Sequence, residues 1–190
     1  LQWIRYFYHD LYALRPLLPS DASQRLAFFL KNRSFLEPYM PLLHESEFTL
    51  AHQLEVLTKG YRDMQEDRRY LLGIFPAGDL DEGPLLGYVN LNNVIRGVFH
   101  NCDMGYAIDY DLRNQGVMTA AVKEAIDFAF NDINLHRIQV AIIPTNTPSL
   151  RVAEKTGFRL IGLSPQYLKI HGVWQDHLLL AQVCPEIQPY

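Results

Sequence analysis

Residues 109–122 read DYDLRNQGVMTAAV: a strand-like ending, an Arg-Asn-Gln-Gly turn, and the opening of an apolar helical stripe. A helix leaves its first four backbone N–H groups without intrahelical acceptors, and a side-chain oxygen just before the first turn ordinarily satisfies one of them. Here Asn114 lies too early and Gln115 is a poor cap. A cap-free helix start behind a glycine offers free amides and the positive end of the helix dipole, an arrangement that holds anions, most often phosphate. Two familiar phosphate loops are excluded. No Lys-Ser/Thr follows Gly116, and a single glycine does not make the dinucleotide GxGxxG. On its own, Gly116 is also compatible with an ordinary tight turn.

Composition bounds what surrounds this turn. A chain of 190 residues, 48% hydrophobic and 12% aromatic, builds one domain spanning residues 1–190 with a core that needs no metal or disulfide. Cys102 and Cys184 form no CxxC and join no histidine cluster, which argues against a metal site and fits a reducing, cytoplasmic setting. A formal charge of −4 argues against direct nucleic-acid binding and leaves room for a basic partner. No apolar run reaches the ~20 residues of a membrane span. The opening LQWIRYFYHDLY is broken by Arg5, His9 and Asp10 and does not read as a signal peptide. With Leu1 in first place rather than Met, further residues are expected to precede it.

Along the chain the hydrophobic period switches repeatedly between two and 3.6. Residues 11–17 alternate as a strand, and residues 22–32 carry Leu26, Phe29 and Leu30 at helical spacing. FLEPYMP (35–41) turns the chain, because neither Pro38 nor Pro41 can sit inside a helix. Thr49 caps a second helix with Leu50, Leu54 and Leu57 on one face, and Gln53 stands close to capping-box spacing. Strands are expected at 70–75, 85–92, 98–109, 136–143, 159–163 and 177–183, with a solvated acidic hairpin loop, PAGDLDEGP, after the first of them. Helices are expected at 117–130 and, after Pro144, from a Thr147 cap with Pro148 in the first position to a left-handed stop at Gly157. Turn chemistry near Gly172 closes the last hairpin. The fold class is α+β, with helices inserted into a mostly antiparallel sheet.

RNQGVM (113–118) resembles the acetyl-CoA loop of the GNAT N-acetyltransferase superfamily. LLGYVNLNNVIRGVFHNCDMGYAI (85–108), LHRIQVAIIPTNTPSLRVAEKTGF (135–158) and HGVWQDHLLLA (171–181) resemble, in order, the ribosomal-protein-alanine N-acetyltransferases. FLEPYMP is similar to the groove segment of that subfamily. The loop is moderately specific. The ordered set Asn146, Ser149, Gly157-Phe158 and Gly172-x-Trp174-x-Asp176-His177 is far more so. The resemblance implies a mixed, mostly antiparallel sheet of about six to seven strands with a central splay, flanked by about four helices.

It implies acetyl-CoA as cosubstrate, no metal, and direct transfer of acetyl to a primary amine. The acceptor would be the N-terminal α-amine of a protein, possibly ribosomal, or else a small-molecule amine. A silent acyl-CoA-binding module stands outside the enzyme class. A monomer or homodimer acting away from membranes would suffice. By the same resemblance, the amides of Arg113, Asn114, Gln115, Gly116, Val117 and Met118 would cradle the pyrophosphate. Ala107 and Ile108 would pair with pantetheine as a strand pairs, and an N–H near Ile108 would polarise the thioester carbonyl. Asn146 would hold pantetheine from across the splay, and Ser149 would protonate the departing thiolate. Three positions depart from the family pattern: Met118 replaces a small residue, Ala120 stands where Glu is frequent, and the family's tyrosine acid has no counterpart at its usual place.

Other residues have plainer readings. Asp103 is the best placed carboxylate for a general base, with a solvent-facing role as the alternative. His100 and Cys102 share a strand face, but that adjacency rarely gives a nucleophile pair, and both read as structural. Tyr39 and Tyr167 are expected at the substrate groove, and Asp176-His177 as a lock on the hairpin.

Overall fold

A computed structural model describes residues 3–8 and 10–185. The sheet has eight strands: β1 (Arg5–Phe7), β2 (Tyr12–Pro16), β3 (Tyr70–Pro76), β4 (Gly87–Ile95), β5 (Asn101–Ile108), β6 (Arg137–Ile142), β7 (Arg159–Ile170) and β8 (Val173–Val183), in the order β1-β2-β3-β4-β5-β6-β8-β7. Every neighbouring pair is antiparallel except β5 and β6. The additional strand is β1, in the aromatic-rich opening, which shows no clean alternation. Positive φ angles at Tyr8 and Asp10 fold it back on β2, and Arg5 ties it to Asp127 at the end of α3 and to Asp132 beyond it.

Four α-helices cover the sheet: α1 (Ala22–Leu36), α2 (Leu50–Gln65), α3 (Val117–Asp127) and α4 (Thr147–Lys155). One apolar cluster joins α3 and α4 to Leu72, Ile74, Val89, Leu91, Met104, Ile138 and Val140. A second lies on the opposite face, where Phe28, Phe29 and Leu36 of α1 and Leu57 of α2 meet Leu71 and Phe75. The alternation of strand side chains thus divides the sheet between two helix pairs.

Phe29 and Leu57 are buried as expected, but the rest of the expected α1 and α2 faces is shifted. Leu30, Leu50 and Leu54 are 53%, 52% and 45% exposed, whereas the buried stripes run through Phe28, Phe29, Asn32 and Leu36 in α1 and Gln53, Leu57, Gly60 and Met64 in α2. Leucine spacing alone misassigned these faces because polar Asn32 and Gln53 point inward and are satisfied there. Asn32 Nδ2 donates to Phe28 O, and Gln53 Nε2 donates to Glu47 O. Thr49 does cap α2, accepting from His52 N, but Gln53 makes no capping box. α3 keeps its apolar face through Ala129 but passes into a π-helical turn over Phe128–Asp132. Gly157, at φ +94°, ends α4 in a Schellman motif: Phe158 N donates to Ala153 O and Gly157 N to Glu154 O. Strands β7 and β8 run well beyond their expected ends and meet in a two-residue turn, His171-Gly172, with both φ values positive. No helix among the described residues is long and apolar enough to cross a membrane.

The central splay is present. β5 and β6 pair in register only at Asn101–Arg137, Cys102–Ile138 and Asp103–Gln139, and then part. Asp109 N donates to Leu86 O at 2.8 Å, and hydrogen-bonded pairs alternate along an antiparallel ladder. Tyr106 and Ile108 therefore turn their N–H and C=O groups away from β4 and into the gap.

Candidate active site

The gap opens into a cavity of about 540 Å³ that passes through the sheet. On the α3/α4 side its wall includes Tyr106, Ile108, Gly116, Ser149 and Lys155; on the α1 side it includes Tyr39, Tyr88, Asn90, Ala107, Arg113, Ala141 and His177. Among the described residues no carboxylate lines it, and its cations are Arg113, Arg151 and Lys155. This wall is positive within a chain of net charge −4.

The Arg-Asn-Gln-Gly turn is built from the end of β5 outward. Asp109 is buried and accepts from Asp111 N (3.0 Å), Lys31 Nζ (2.9 Å) and Asn32 Nδ2 (3.2 Å), while Asn32 Oδ1 accepts from Tyr110 N (2.8 Å). Burial pushes the Asp109 carboxyl up, but these three donors outweigh it and hold the group below its ordinary value. Arg113 donates through Nε to Tyr110 O, and its guanidinium lies over the Tyr110 ring and 5.0 Å from the Phe35 ring. Gln115 is turned outward: its Nε2 donates to Asp111 O, and its carbonyl accepts from Tyr8 Oη at 2.5 Å. Gly116 then takes φ +83°, a left-handed conformation that costs side-chain-bearing residues about 1–2 kcal/mol. No side chain caps α3. The turn at Gly116 thus enters α3 without a side-chain cap, and Gly116, Met118 and Thr119 line the cavity.

Across the gap, Asn146 rather than Thr147 is the N-cap of α4, with Oδ1 accepting from Ser149 N at 3.3 Å. Thr147 and Pro148 are already helical, because Asn146 holds the non-helical ψ, 65°, that a cap needs. Asn146 therefore caps α4 and lines the cavity with the same side chain. Since the cap is Asn146, the Ser149 hydroxyl is free of capping. It donates to Tyr106 Oη at 3.1 Å, and Tyr106 Oη donates to the Ser149 carbonyl at 2.9 Å. Burial pushes the Tyr106 phenol up to about 12, with the Ser149 bond opposing it, so the phenol stays protonated near neutrality.

The structure brings Ala107, Ile108, Arg113, Asn114, Gly116, Met118, Asn146, Ser149 and Tyr39 to the cavity wall, and leaves Gln115, Val117, Asp103 and Tyr167 outside it. Val117 is core, with no exposed surface. Asp103 sits in the paired part of β5, before the strands part, and accepts from Asn93 Nδ2 at 2.9 Å. Tyr167 packs against the His177 ring, 5.9 Å between centroids. His100 and Cys102 do not form a nucleophile pair: His100 Nδ1 bonds Gly97 O, and burial pushes the Cys102 thiol up to about 12. Sequence reading missed Tyr106 and His177. Strand alternation from Met104 and Ile108 was the available signal for Tyr106.

The acetyltransferase (GNAT) domain family matches residues 12–159. The probable N-acetyltransferase YjcK of Bacillus subtilis is 36% identical over 173 residues, covering 91% of this chain and 94% of its own. The [ribosomal protein uS5]-alanine N-acetyltransferase of Escherichia coli is 31% identical over 180 residues, covering 95% and 91%. Among solved structures, the ribosomal-protein-S5-alanine acetyltransferase of Vibrio fischeri superposes with a TM-score of 0.91 at 30% identity, over 99% of this chain and 100% of that one. Mycobacterium smegmatis RimJ, solved in complex with CoA-disulfide, gives 0.84 at 29% identity over 94% and 84%. The open helix start, the splayed strands and these likenesses agree, and the chain belongs to the GNAT acetyltransferase family.

Proposed function

We propose that the protein transfers acetyl from acetyl-CoA directly to the N-terminal α-amine of a protein, a ribosomal protein being the acceptor class its relatives' names point to. The observation that carries this reading is the cavity itself, which crosses the sheet with a different chemical character at each mouth. On the α3/α4 side, the open amides after Gly116 suit the pyrophosphate. The free N–H and C=O groups of Tyr106 and Ile108 suit pantetheine pairing in strand fashion, and the Ile108 N–H suits a developing oxyanion. On the α1 side, Phe35, Tyr39, Met40, Pro41 and Tyr88 form an apolar, aromatic wall for an extended peptide end.

Ser149, on the α3/α4 wall, would protonate the departing thiolate, and its hydroxyl is held by donating to the neutral Tyr106 phenol. Direct transfer is favoured over an acyl-enzyme because Cys102 is fully buried, with its thiol pushed well above neutrality. An α-amine, with an ordinary pKa of ~7.7–8.0, needs only modest help to lose its proton. Turnover with acetyl-CoA against a panel of N-terminal peptides and small amines, read by mass spectrometry, tests the proposal. Peptide α-amine acetylation is expected. Turnover confined to small amines would replace the acceptor, and none with any amine would leave a binding module.

A further inference from the structure

We infer that His177 is the proton acceptor for the incoming ammonium, a role that rests on the transfer reaction proposed above. Its position comes from register. Leu178 pairs with Ile142 and packs into the α3/α4 core, so the preceding residue projects to the opposite face, where Tyr88, Asn90, Ala107 and Ala141 line the cavity. Ser149 and Tyr106 lie on the α3/α4 side of the same gap. The nucleophile side and the leaving-group side therefore carry separate proton-handling groups.

The ring is 2% exposed and anchored at one nitrogen. Nδ1 lies 2.9 Å from Gln175 O, and because a carbonyl only accepts, Nδ1 carries the hydrogen. In the neutral ring the lone pair is then on Nε2, which has no hydrogen-bond partner among the described residues, and the residue lines the cavity. Tyr167 of β7 packs on the ring. Asp176, the adjacent carboxylate on β8, is turned away to accept from Gln166 N at 2.8 Å.

The remaining ionisable groups of the wall are Tyr39 beyond α1, Tyr88 on β4, Tyr106 on β5, Arg113 in the turn before α3, and Arg151 and Lys155 on α4; β6 contributes none. Phenols, guanidinium and ammonium do not accept protons near neutrality, whereas imidazole does. With no carboxylate in the wall, the proton goes to His177.

The step balances. Nε2 takes one proton from R–NH3+, and the neutral amine forms the N–C bond to the thioester carbonyl. On collapse the C–S bond breaks, Ser149 gives its proton to the thiolate sulfur, and the nitrogen's surplus proton restores Ser149. His177 returns its proton to solvent. The net change is ammonium plus thioester to amide, thiol and one proton.

The test compares wild type with His177→Asn and His177→Ala, using acetyl-CoA and one N-terminal peptide across a pH series. Near neutrality kcat/KM should fall by roughly 6–11-fold, the reciprocal of the neutral fraction of an α-amine of pKa ~7.7–8.0 at pH 7, with acetyl-CoA affinity unchanged. The defect should shrink at alkaline pH, where the amine arrives neutral, which a merely structural role would not produce. A folded, acetyl-CoA-binding variant with the wild-type rate and profile, or with a defect constant across pH, overturns the inference. A wild type inert with every amine instead overturns the proposed function. If neither variant folds, ¹⁵N-histidine spectra of wild type decide. An Nδ1–H tautomer whose Nε2 signal moves on acceptor saturation supports the assignment, and an Nε2–H tautomer or an unmoved signal overturns it.

Discussion

Replacing Tyr106 by Phe and Ser149 by Ala, singly and together, probes the proton delivered to the thiolate. Tyr106 Oη makes two bonds, both to Ser149: it accepts from Oγ at 3.1 Å and donates to the carbonyl at 2.9 Å. Each is a neutral hydrogen bond with a net worth of ~0.5–1.5 kcal/mol. That first bond directs the single Ser149 proton at Tyr106, so delivery to sulfur must break it. If the bond fixes the position of Oγ, its loss lowers kcat by ~2–13-fold, since ~1.4 kcal/mol is one decade. Ser149→Ala removes the acid itself and should cost ~10²–10⁴-fold in kcat with little change in acetyl-CoA affinity. The double variant should be no worse than Ser149→Ala, because without the hydroxyl Tyr106 has nothing left to orient. Thiol release gives kcat, and calorimetry gives acetyl-CoA affinity. An unchanged kcat for Ser149→Ala, or strict multiplication of the two single effects, refutes the pairing. A Tyr106→Phe loss as large as that of Ser149→Ala would make the phenol the donor.

Gly116→Asp should lose acetyl-CoA binding by at least ~100-fold while still folding. A Cβ at Gly116 meets only Tyr8, at 3.6 Å, so the structural cost is the ~1–2 kcal/mol of the left-handed φ and calorimetry on the folded protein isolates the charge. Asp109→Ala should destabilise by about 2–4 kcal/mol by stranding Asn32 and the Asp111 amide, a Tm loss of roughly 4–16 °C by scanning calorimetry. Because the folded Asp109 carboxyl titrates below its unfolded value, its stabilisation is complete above the unfolded pKa and fades as pH falls through the folded one. Wild type should therefore lose Tm on acidification more steeply than Asp109→Ala. Asp103→Asn should retain the rate and pH profile of wild type, and a loss beyond ~10-fold would return that carboxylate to the mechanism.

Seven of the eight strands and all four α-helices were legible because each carries a clear period and turn chemistry at its ends. The α1 and α2 faces were not, since Asn32 and Gln53 are buried by partners distant in sequence or in a loop, which periodicity cannot register. The anion turn was readable from the missing cap, a local signal. The cap of α4 lies one residue from the expected position because Asn146 and Thr147 are both good cap types, and only the backbone conformation, here the non-helical ψ of Asn146, distinguishes them. Asp103 was favoured by residue type, but its peptide lies before the strands part, a matter of pairing length. His177 reads in the sequence as a hairpin lock, because its access to the cavity depends on the register of β8 against β6.

The three-pair seam between β5 and β6 has a consequence for how the molecule breathes. Strands β1–β5 form one antiparallel leaf and β6, β8 and β7 another, and only three residue pairs join the two leaves edge to edge. Cooperative opening units tend to follow such boundaries, so the carboxy-terminal leaf is the natural subglobal unit. Its amides should exchange hydrogen at a lower opening free energy than those of β3 and β4, which are paired on both edges within the other leaf. A ligand whose chain fills the gap with strand-like bonds would lengthen the seam, and should slow exchange in β6 and β8 well beyond the residues it touches.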